Sequence, residues 1–173
     1  MYKIENVMSD DMVYNTPRNL VQNLVSGSDI EVSGVSEPAV VMRDDPLSDR
    51  STLRLVHISR EGLSYPKFLL AVEAFDFSKQ ELAQLLHISE RTLERIHKDK
   101  KRLSTPHTER ILEVSILFEK GWDFFESKEN FRKWLNIPNY AFENQTPLSM
   151  LDTKYGIASV ETLLDRMAHG IVV

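Results

Sequence analysis

The stretch QELAQLLHISERTLERIHKDKKRLS, residues 80–104, decides the fold of the central part of this chain. Just before it, Ser78 is followed three residues later by Glu81, the spacing of a capping box at a helix start. Ser89 supplies a second helix start of the same kind. Apolar residues recur at intervals that let two short helices pack onto one core: Leu82, Leu86, Ile88, Leu93 and Ile96. The stretch therefore predicts two short helices joined by a tight turn.

The turn itself has the requirements of a helix-turn-helix. Ala83 supplies the small side chain needed where the two helices touch. His87, four residues later, stands where glycine is usual, because the backbone there tends toward positive φ. Histidine is among the few other residues that adopt this conformation, so we interpret His87 as a tolerated turn residue and not as a ligand or pH sensor. In such a motif the second helix lies in the DNA major groove.

Charge is distributed as a DNA-binding helix would need. The whole chain carries a net charge of -5, yet residues 91–102 hold six basic residues against two acidic ones. Arg91 and Arg95 are one helical turn apart and are predicted to contact base edges, with guanine the favoured partner. The basic run 98–102 is predicted to hold phosphates. The full predicted DNA-binding set is Ser89, Glu90, Arg91, Thr92, Arg95, Lys98, Lys100, Lys101 and Arg102. The alternative is a solvated charged face on a structural helical hairpin.

The residues on either side predict further helices. From about residue 64 the apolar spacing is helical, and the first face combines Phe68, Leu69, Val72 and Phe75. TPHTERILEVSILFEKGWDFF predicts a longer helix, and Ser127 starts another. The longer helix is predicted to carry a wide apolar stripe formed by Ile111, Leu112, Val114, Ser115, Leu117 and Phe118. The remaining chain predicts a helix, a turn at Gly156 and a closing helix that ends at Gly170. No strands alternate with these helices, so the fold class is all-α.

Three regions follow from these patterns. Residues 1–50 lack periodicity and have the composition of loops, so we expect a poorly ordered or arm-like N-terminal extension. An arm that reaches across a dimer is the functional alternative for this extension. Residues 51–120 form the helix-turn-helix domain, and residues 121–173 form a C-terminal domain.

The C-terminal domain carries a spaced pattern of residues that is far more specific than the helix-turn-helix alone. Its members are Trp134, Leu135, Pro138, Thr146, Pro147, Leu148, Leu151, Thr153, Gly156, Val160, Leu163, Arg166, His169 and Gly170. Together with ISERTLERI and LSTPHTERIL upstream, this pattern resembles the antitoxins of the Xre/MbcA/ParS group over roughly residues 55–173. Two positions depart from it, since Phe142 and Asn144 stand where family members often have leucine and glycine. Asparagine also adopts the left-handed conformation, so the turn is expected to survive.

The resemblance implies a fold and a function. It implies an Xre-like helix-turn-helix bundle followed by a small helical toxin-binding domain. It also implies an antitoxin of a type II toxin-antitoxin system that blocks a cognate toxin and represses its own operon. The toxins of this group are commonly of the RES type, which resemble ADP-ribosyltransferases and deplete NAD. The last helix and tail are then expected to bind the toxin, through Asp165, Arg166, His169, Gly170, Ile171, Val172 and Val173.

The residues of the C-terminal domain, considered without the resemblance, do not settle which of them contact a partner. The stripe of Val160, Leu163, Leu164 and Met167 is interpreted as core in preference to partner surface, whereas the apolar terminus favours docking against a partner. Arg166 is a candidate to enter an anionic pocket. A homodimer is expected, because paired half-sites are the usual way for one short helix to gain specificity. The alternative function is a stand-alone helix-turn-helix regulator whose C-terminal domain dimerises or senses a ligand.

Several classes of function are not expected. The histidines lack metal-ligand spacing, no glycine loop for phosphates occurs, and no carboxylate pairs with a second catalytic group, so we predict no enzyme, catalytic residue, metal or cofactor. The absence of cysteine excludes disulfides and thiolate metal sites. No apolar run is long enough to span a membrane and no secretory signal is evident, so a cytoplasmic protein is expected.

Overall fold

A computed structural model describes residues 19–25 and 49–170 of the 173-residue chain, with the backbone alone for residues 49–51. These residues form helices and no strand; one isolated bridge joins Asn139 and Gln145. The helices are α1 Leu20–Val25, α2 Asp49–Glu61, α3 Tyr65–Phe75, α4 Lys79–Leu85, α5 Glu90–Asp99, α6 Thr105–Phe125, α7 Lys128–Leu135, α8 Pro147–Met150 and α9 Lys154–Ala168, with a 3-10 turn at Tyr140–Phe142. The predicted all-α fold is confirmed.

Helix α6 is the spine shared by both halves of the described chain. It is 21 residues long, and it packs against α1, α2 and α3, which precede it in the sequence, and against α7 and α9, which follow it. The stripe predicted for it is buried throughout: Ile111, Leu112, Val114, Ser115, Leu117 and Phe118. The ring of Phe118 lies 4.7 Å from that of Phe75 and 5.1 Å from that of Phe131, measured between centroids. One continuous aromatic core therefore joins the helix-turn-helix domain to the C-terminal domain.

The N-terminal region differs from the prediction at two places. Residues 20–25, predicted to belong to a loosely ordered extension, form α1 and bury Leu20, Val21, Leu24 and Val25 against α3 and α6. Helix α2 also begins at Asp49, well before the periodicity indicated a helix. A six-residue helix is too short to reveal a period, and it is stabilised by packing against helices distant in the sequence. The rest of the predicted extension, residues 1–18 and 26–48, lies outside the described residues.

A buried carboxylate marks the place where α1 meets α6. The N–H of Val21 donates to Oε1 of Glu119 over 2.7 Å, which satisfies one of the free amides at the start of α1. The pKa of Glu119 is raised to about 7, chiefly by burial and also by nearby Asp123, although the bonds from the α1 amides act in the opposite direction. The Glu119 carboxyl therefore caps the start of α1 and has a pKa near neutral pH.

One prediction about the C-terminal domain, the turn at Gly156, is wrong. The turn predicted at Gly156 lies at residues 151–153 instead, and Gly156 is already inside α9. A Cβ at this position would lie 1.8 Å from the carbonyl oxygen of Met150, so the glycine allows α8 and α9 to approach closely. The predicted end of the last helix is confirmed, since His169 is the C-cap and Gly170 follows with a φ of +68°.

Candidate functional site

Both helices of the helix-turn-helix begin as predicted. At the start of α4 the hydroxyl of Ser78 accepts from the N–H of Glu81 over 3.2 Å, and the Glu81 carboxylate accepts from the N–H of Ser78 over 2.7 Å. At the start of α5 the hydroxyl of Ser89 accepts from the N–H of Thr92 over 3.1 Å. These bonds satisfy amides that would otherwise lack partners, so the capping box and the second cap are confirmed.

The turn between α4 and α5 is tight and closed by its own backbone. His87 has a φ of +53°, as predicted for this position. Its N–H donates to the carbonyl of Gln84 over 3.1 Å, and the N–H of Ile88 donates to the carbonyl of Ala83 over 3.0 Å. Ala83 is buried where the two helices meet. The turn therefore has the geometry of a helix-turn-helix with a histidine in the left-handed position.

Helix α5 presents most of its length to solvent. Leu93 is the buried residue of this ten-residue helix, and Ile96 packs against the core beside it. The opposite side holds a shallow depression lined by Arg91, Thr92, Glu94, Arg95 and Lys98. Four of these five belong to the predicted DNA-binding set, so the structure brings the arginines, the threonine and one lysine onto a single accessible face.

A lysine of α4, which the sequence analysis did not single out, pairs with the acidic residues on this face. The ammonium of Lys79 bonds Glu94 and lies 3.3 Å from the carboxylate of Glu90. The hydrogen bond with Glu94 is the main cause that raises the pKa of Lys79, and the same bond lowers the pKa of Glu94. Both carboxylates are thus paired, and the positive charges of Arg91 and Arg95 dominate the exposed face.

The basic residues that follow α5 have different surroundings. Lys100 ends the helix in the left-handed conformation, with a φ of +49°. The ammonium of Lys101 lies 3.8 Å from the carboxylate of Asp99 and is well exposed. The guanidinium of Arg102 donates to the carbonyl of Gly62 over 3.0 Å, which ties it to the junction of α2 and α3. Lys98, Lys100 and Lys101 are therefore accessible to phosphates, whereas Arg102 also has a structural role.

The second predicted site lies at the end of α9. Val160, Leu163 and Leu164 are buried and Met167 packs against the core, so the interpretation of this stripe as core is confirmed. The exposed side of the same turns carries Asp165, Arg166 and His169. His169 bonds the carbonyl of Asp165 through Nδ1 over 2.7 Å, and the carboxylate of Asp165 lies 3.5 Å from the ammonium of Lys120. Residues 171–173 lie outside the described residues.

Two polar contacts join the C-terminal domain to the helix-turn-helix. The Nη2 atom of Arg132 in α7 donates to both carboxylate oxygens of Glu81, over 2.8 and 2.9 Å. The Nε2 atom of His87 lies 2.6 Å from the carbonyl oxygen of Asp152, in the turn between α8 and α9. These partners are 51 and 65 residues apart, so no local pattern in the sequence indicated them.

The loop between α7 and α8 presents an exposed aromatic side chain. Asn144 has a φ of +63°, which confirms the left-handed conformation expected there in place of glycine. The N–H of Asn139 donates to the carbonyl of Gln145 over 3.0 Å and closes the loop. Phe142 is buried beneath it, whereas Tyr140 is 89% exposed.

The described part of the chain contains no group of three or more histidine or carboxylate side chains that could hold a metal ion. Among the helices of residues 19–25 and 49–170, none has the length and apolar character required to cross a membrane.

Comparison with known proteins finds two matching families. Residues 54–114 match the antitoxin Xre-like helix-turn-helix domain, and residues 121–170 match the antitoxin Xre/MbcA/ParS C-terminal toxin-binding domain. Together the two matches cover well over half of the chain.

Two individual proteins are also similar. The protein "Antitoxin Xre" of Photorhabdus laumondii subsp. laumondii is 29% identical over 97 residues, which cover 56% of this chain and 66% of that protein, just under two thirds. The crystal structure of the M. tuberculosis MbcT-MbcA toxin-antitoxin complex contains a chain with 21% identity and a TM-score of 0.46, covering 60% of this chain and 91% of that one.

Proposed function

Since this chain belongs to the Xre/MbcA/ParS family of antitoxins, we propose that it blocks a cognate toxin by direct binding and represses its own operon by binding DNA. The toxin is of the RES type, which depletes NAD, in keeping with the family resemblance described above. The protein acts in the cytoplasm as a homodimer, so that two copies of α5 face two half-sites of an operator.

The observation that carries the DNA-binding half of this proposal is the exposed face of α5. Arg91, Arg95 and Lys98 line one accessible surface, and Lys79 pairs with the carboxylates that would otherwise repel phosphate. Arginine binds guanine edges bidentately, and lysine binds phosphate as a point charge. A charge-bearing face of this kind, at the start of the second helix of a helix-turn-helix, suits direct readout of the major groove.

The test is the double substitution Arg91→Ala with Arg95→Ala, assayed by fluorescence anisotropy on DNA from the promoter of the protein's own operon. We expect a loss of affinity of roughly tenfold to a hundredfold for each base contact removed, with little change in stability. The matched control is Arg60→Ala with Lys133→Ala, which removes the same charge from exposed residues of α2 and α7. If the first pair binds the promoter as tightly as the parent does, α5 does not read DNA.

The toxin-binding half is supported by the family match over residues 121–170 and by the exposed end of α9. Because Val160, Leu163 and Leu164 are buried in the protein's own core, the surface left for a partner at this end of the described chain includes Asp165, Arg166 and His169. An arginine fork there suits an anionic or nucleotide-shaped pocket. We therefore propose Arg166 and the tail as the segment that blocks the toxin's active site.

Co-expression with the neighbouring reading frame tests this half. We expect that frame to be toxic alone, the full chain to relieve the toxicity, and a chain lacking residues 166–173 to fail while still binding DNA. Arg166→Glu should weaken protection in the same way, and Lys154→Glu at the opposite end of α9 is the matched control. A neighbour without toxicity would instead favour a stand-alone regulator, whereas full protection by the truncated chain would show that residues 166–173 do not block the toxin.

A further inference from the structure

We propose that the C-terminal domain positions the DNA-binding unit by holding α4 at both ends, through Arg132 at its start and through the His87–Asp152 contact at its finish. The inference rests on the proposed DNA binding. It makes Arg132 and His87 positioning residues for DNA recognition, although Arg132 lies in the domain matched to toxin binding.

The first contact engages the capping box at the start of α4, where Glu81 is the third helical residue. Glu81 closes the capping box with Ser78, and the same carboxylate accepts two bonds from Nη2 of Arg132. The side chains of Glu81 and Arg132 are both about one quarter exposed, at 27% and 24%, so this pair is partly shielded from water. The guanidinium also lies 5.1 Å from the ring centre of Phe77, next to the cap. Removal of the guanidinium would thus loosen the start of α4 from one side.

The second contact engages the turn at the other end. His87 lies in the left-handed conformation, where glycine would fold with less strain. A glycine, however, has no side chain to reach the carbonyl of Asp152, which lies 2.6 Å from Nε2. The histidine therefore has a more strained backbone than glycine would have, but its side chain bonds the turn between α8 and α9. This accounts for the residue that fits the helix-turn-helix pattern least well.

The position of α4 matters to α5 for two reasons. Helix α4 is only seven residues long, too short to be stable in isolation, so its geometry depends on what holds it. It also carries Lys79, which pairs with Glu90 and Glu94 on the DNA-facing helix. A shift of α4 would therefore alter both the angle between the helices and the charge of the exposed face.

The test uses Arg132→Gln and His87→Gly in the full chain, each measured for promoter DNA affinity at several salt concentrations. We expect each variant to weaken DNA binding by about five- to tenfold. The slope of log affinity against log salt should not change, because neither variant removes a phosphate contact. Protection against the product of the neighbouring reading frame, measured by co-expression, should also be unchanged. Lys133→Gln, which removes the adjacent exposed charge on α7, is the matched control and should bind as the parent does.

Two further readouts separate positioning from a general loss of structure. His87→Gly relieves a left-handed residue, so its thermal midpoint should equal or exceed that of the parent while its DNA affinity falls. Amide exchange of Leu82 to Leu86 should accelerate in both variants, with α9 unaffected. Unchanged amide exchange in α4 would overturn the inference, whatever the DNA affinity of the variants.

The DNA assay also distinguishes the two proposals. Should Arg91→Ala with Arg95→Ala abolish binding while Arg132→Gln and His87→Gly bind within twofold of the parent, the positioning role is wrong and the DNA-binding role stands. Should the arginine pair have no effect, the proposed DNA-binding function itself fails.

Discussion

Helices α5 and α9 begin in the same way and are used differently. Each starts at a hydroxyl cap, Ser89 or Thr153, which accepts a bond from the amide three residues later. Helix α5 then buries Leu93 and leaves nearly all its other side chains half-buried or exposed. Helix α9 buries five residues, Gly156, Ile157, Val160, Leu163 and Leu164.

The difference teaches where a partner can bind. A helix with one buried residue offers its whole outward face to a groove, which suits α5 as a reader of DNA. Helix α9 is embedded on one side along its length, which leaves for a partner the outer side that runs from Lys154 to His169. The apolar stripe of α9 therefore stabilises the protein itself, and Asp165, Arg166 and His169 on the outer side remain the predicted toxin contacts.

The largest effect is expected from Gly156→Ala, which tests whether α9 is closely packed against the rest of the protein. The added Cβ would meet the carbonyl oxygen of Met150 at 1.8 Å, a backbone atom that cannot move without separating α8 from α9. We expect a loss of about 3 kcal/mol or more in the free energy of unfolding, measured by urea denaturation. Gly170→Ala is the control: its φ is +68° and the space around it is open, so it should cost only about 1 kcal/mol. Equal losses would mean that close packing does not distinguish α9.

A second test concerns charge, because the charges of α5 lie in solvent whereas Glu119 is buried. The pKa of Glu119 is about 7 in the folded protein, above its ordinary value of 4.5. Between pH 4.5 and pH 7 the folded state therefore retains a proton that the unfolded state releases. The free energy of unfolding should therefore fall as pH rises through this window, by up to about 1.4 kcal/mol per pH unit.

Urea denaturation from pH 4.5 to pH 8 measures this slope, and Glu119→Gln should flatten it. The exposed Glu109 in the same helix provides a matched substitution, Glu109→Gln, that should retain the slope. A parent protein with constant stability over this range would show that Glu119 is not desolvated as described.

The smallest expected effects come from the paired caps. Ser89→Ala and Thr153→Ala each remove one bond to a helix amide, over 3.1 and 3.0 Å, and each should cost about 1 kcal/mol of stability. Their DNA affinities should nevertheless differ. Ser89→Ala should weaken promoter binding because the first turn of α5 is proposed to face DNA, whereas Thr153→Ala should not. If both variants bind DNA equally well, the start of α5 is not at the interface.

Features determined by neighbouring residues could be predicted from the sequence. The capping box of Ser78 with Glu81, the cap at Ser89 and the left-handed His87 each depend on residues within about four positions, and all three are confirmed. The buried stripe of α6 was predicted for a similar reason, since a 21-residue helix repeats its period several times. The residues predicted to contact DNA and toxin remain predictions, although the structure places Arg91, Arg95 and Lys98 on one face.

Features that depend on distant residues were not predictable. Glu119 and Val21 are 98 positions apart, and the burial of α1 depends on that contact and on α3 and α6. The pairing of Arg132 with Glu81 and of His87 with Asp152 likewise joins segments that no local period connects. Gly156 was assigned to a turn because glycine usually marks one, whereas its role comes from a backbone atom of α8. In each case the cause is tertiary packing.

The aromatic core also provides a built-in optical probe. The chain has two tryptophans, Trp122 and Trp134, and both lie in the C-terminal domain. Trp122 is buried edge-on to Phe118, and Trp134 stacks on Phe131 while partly exposed. Their emission therefore monitors the C-terminal half and its junction with α6, whereas circular dichroism averages over every helix. Coincident unfolding curves from the two signals would identify a single cooperative unit spanning both halves, and separated curves would show which half melts first.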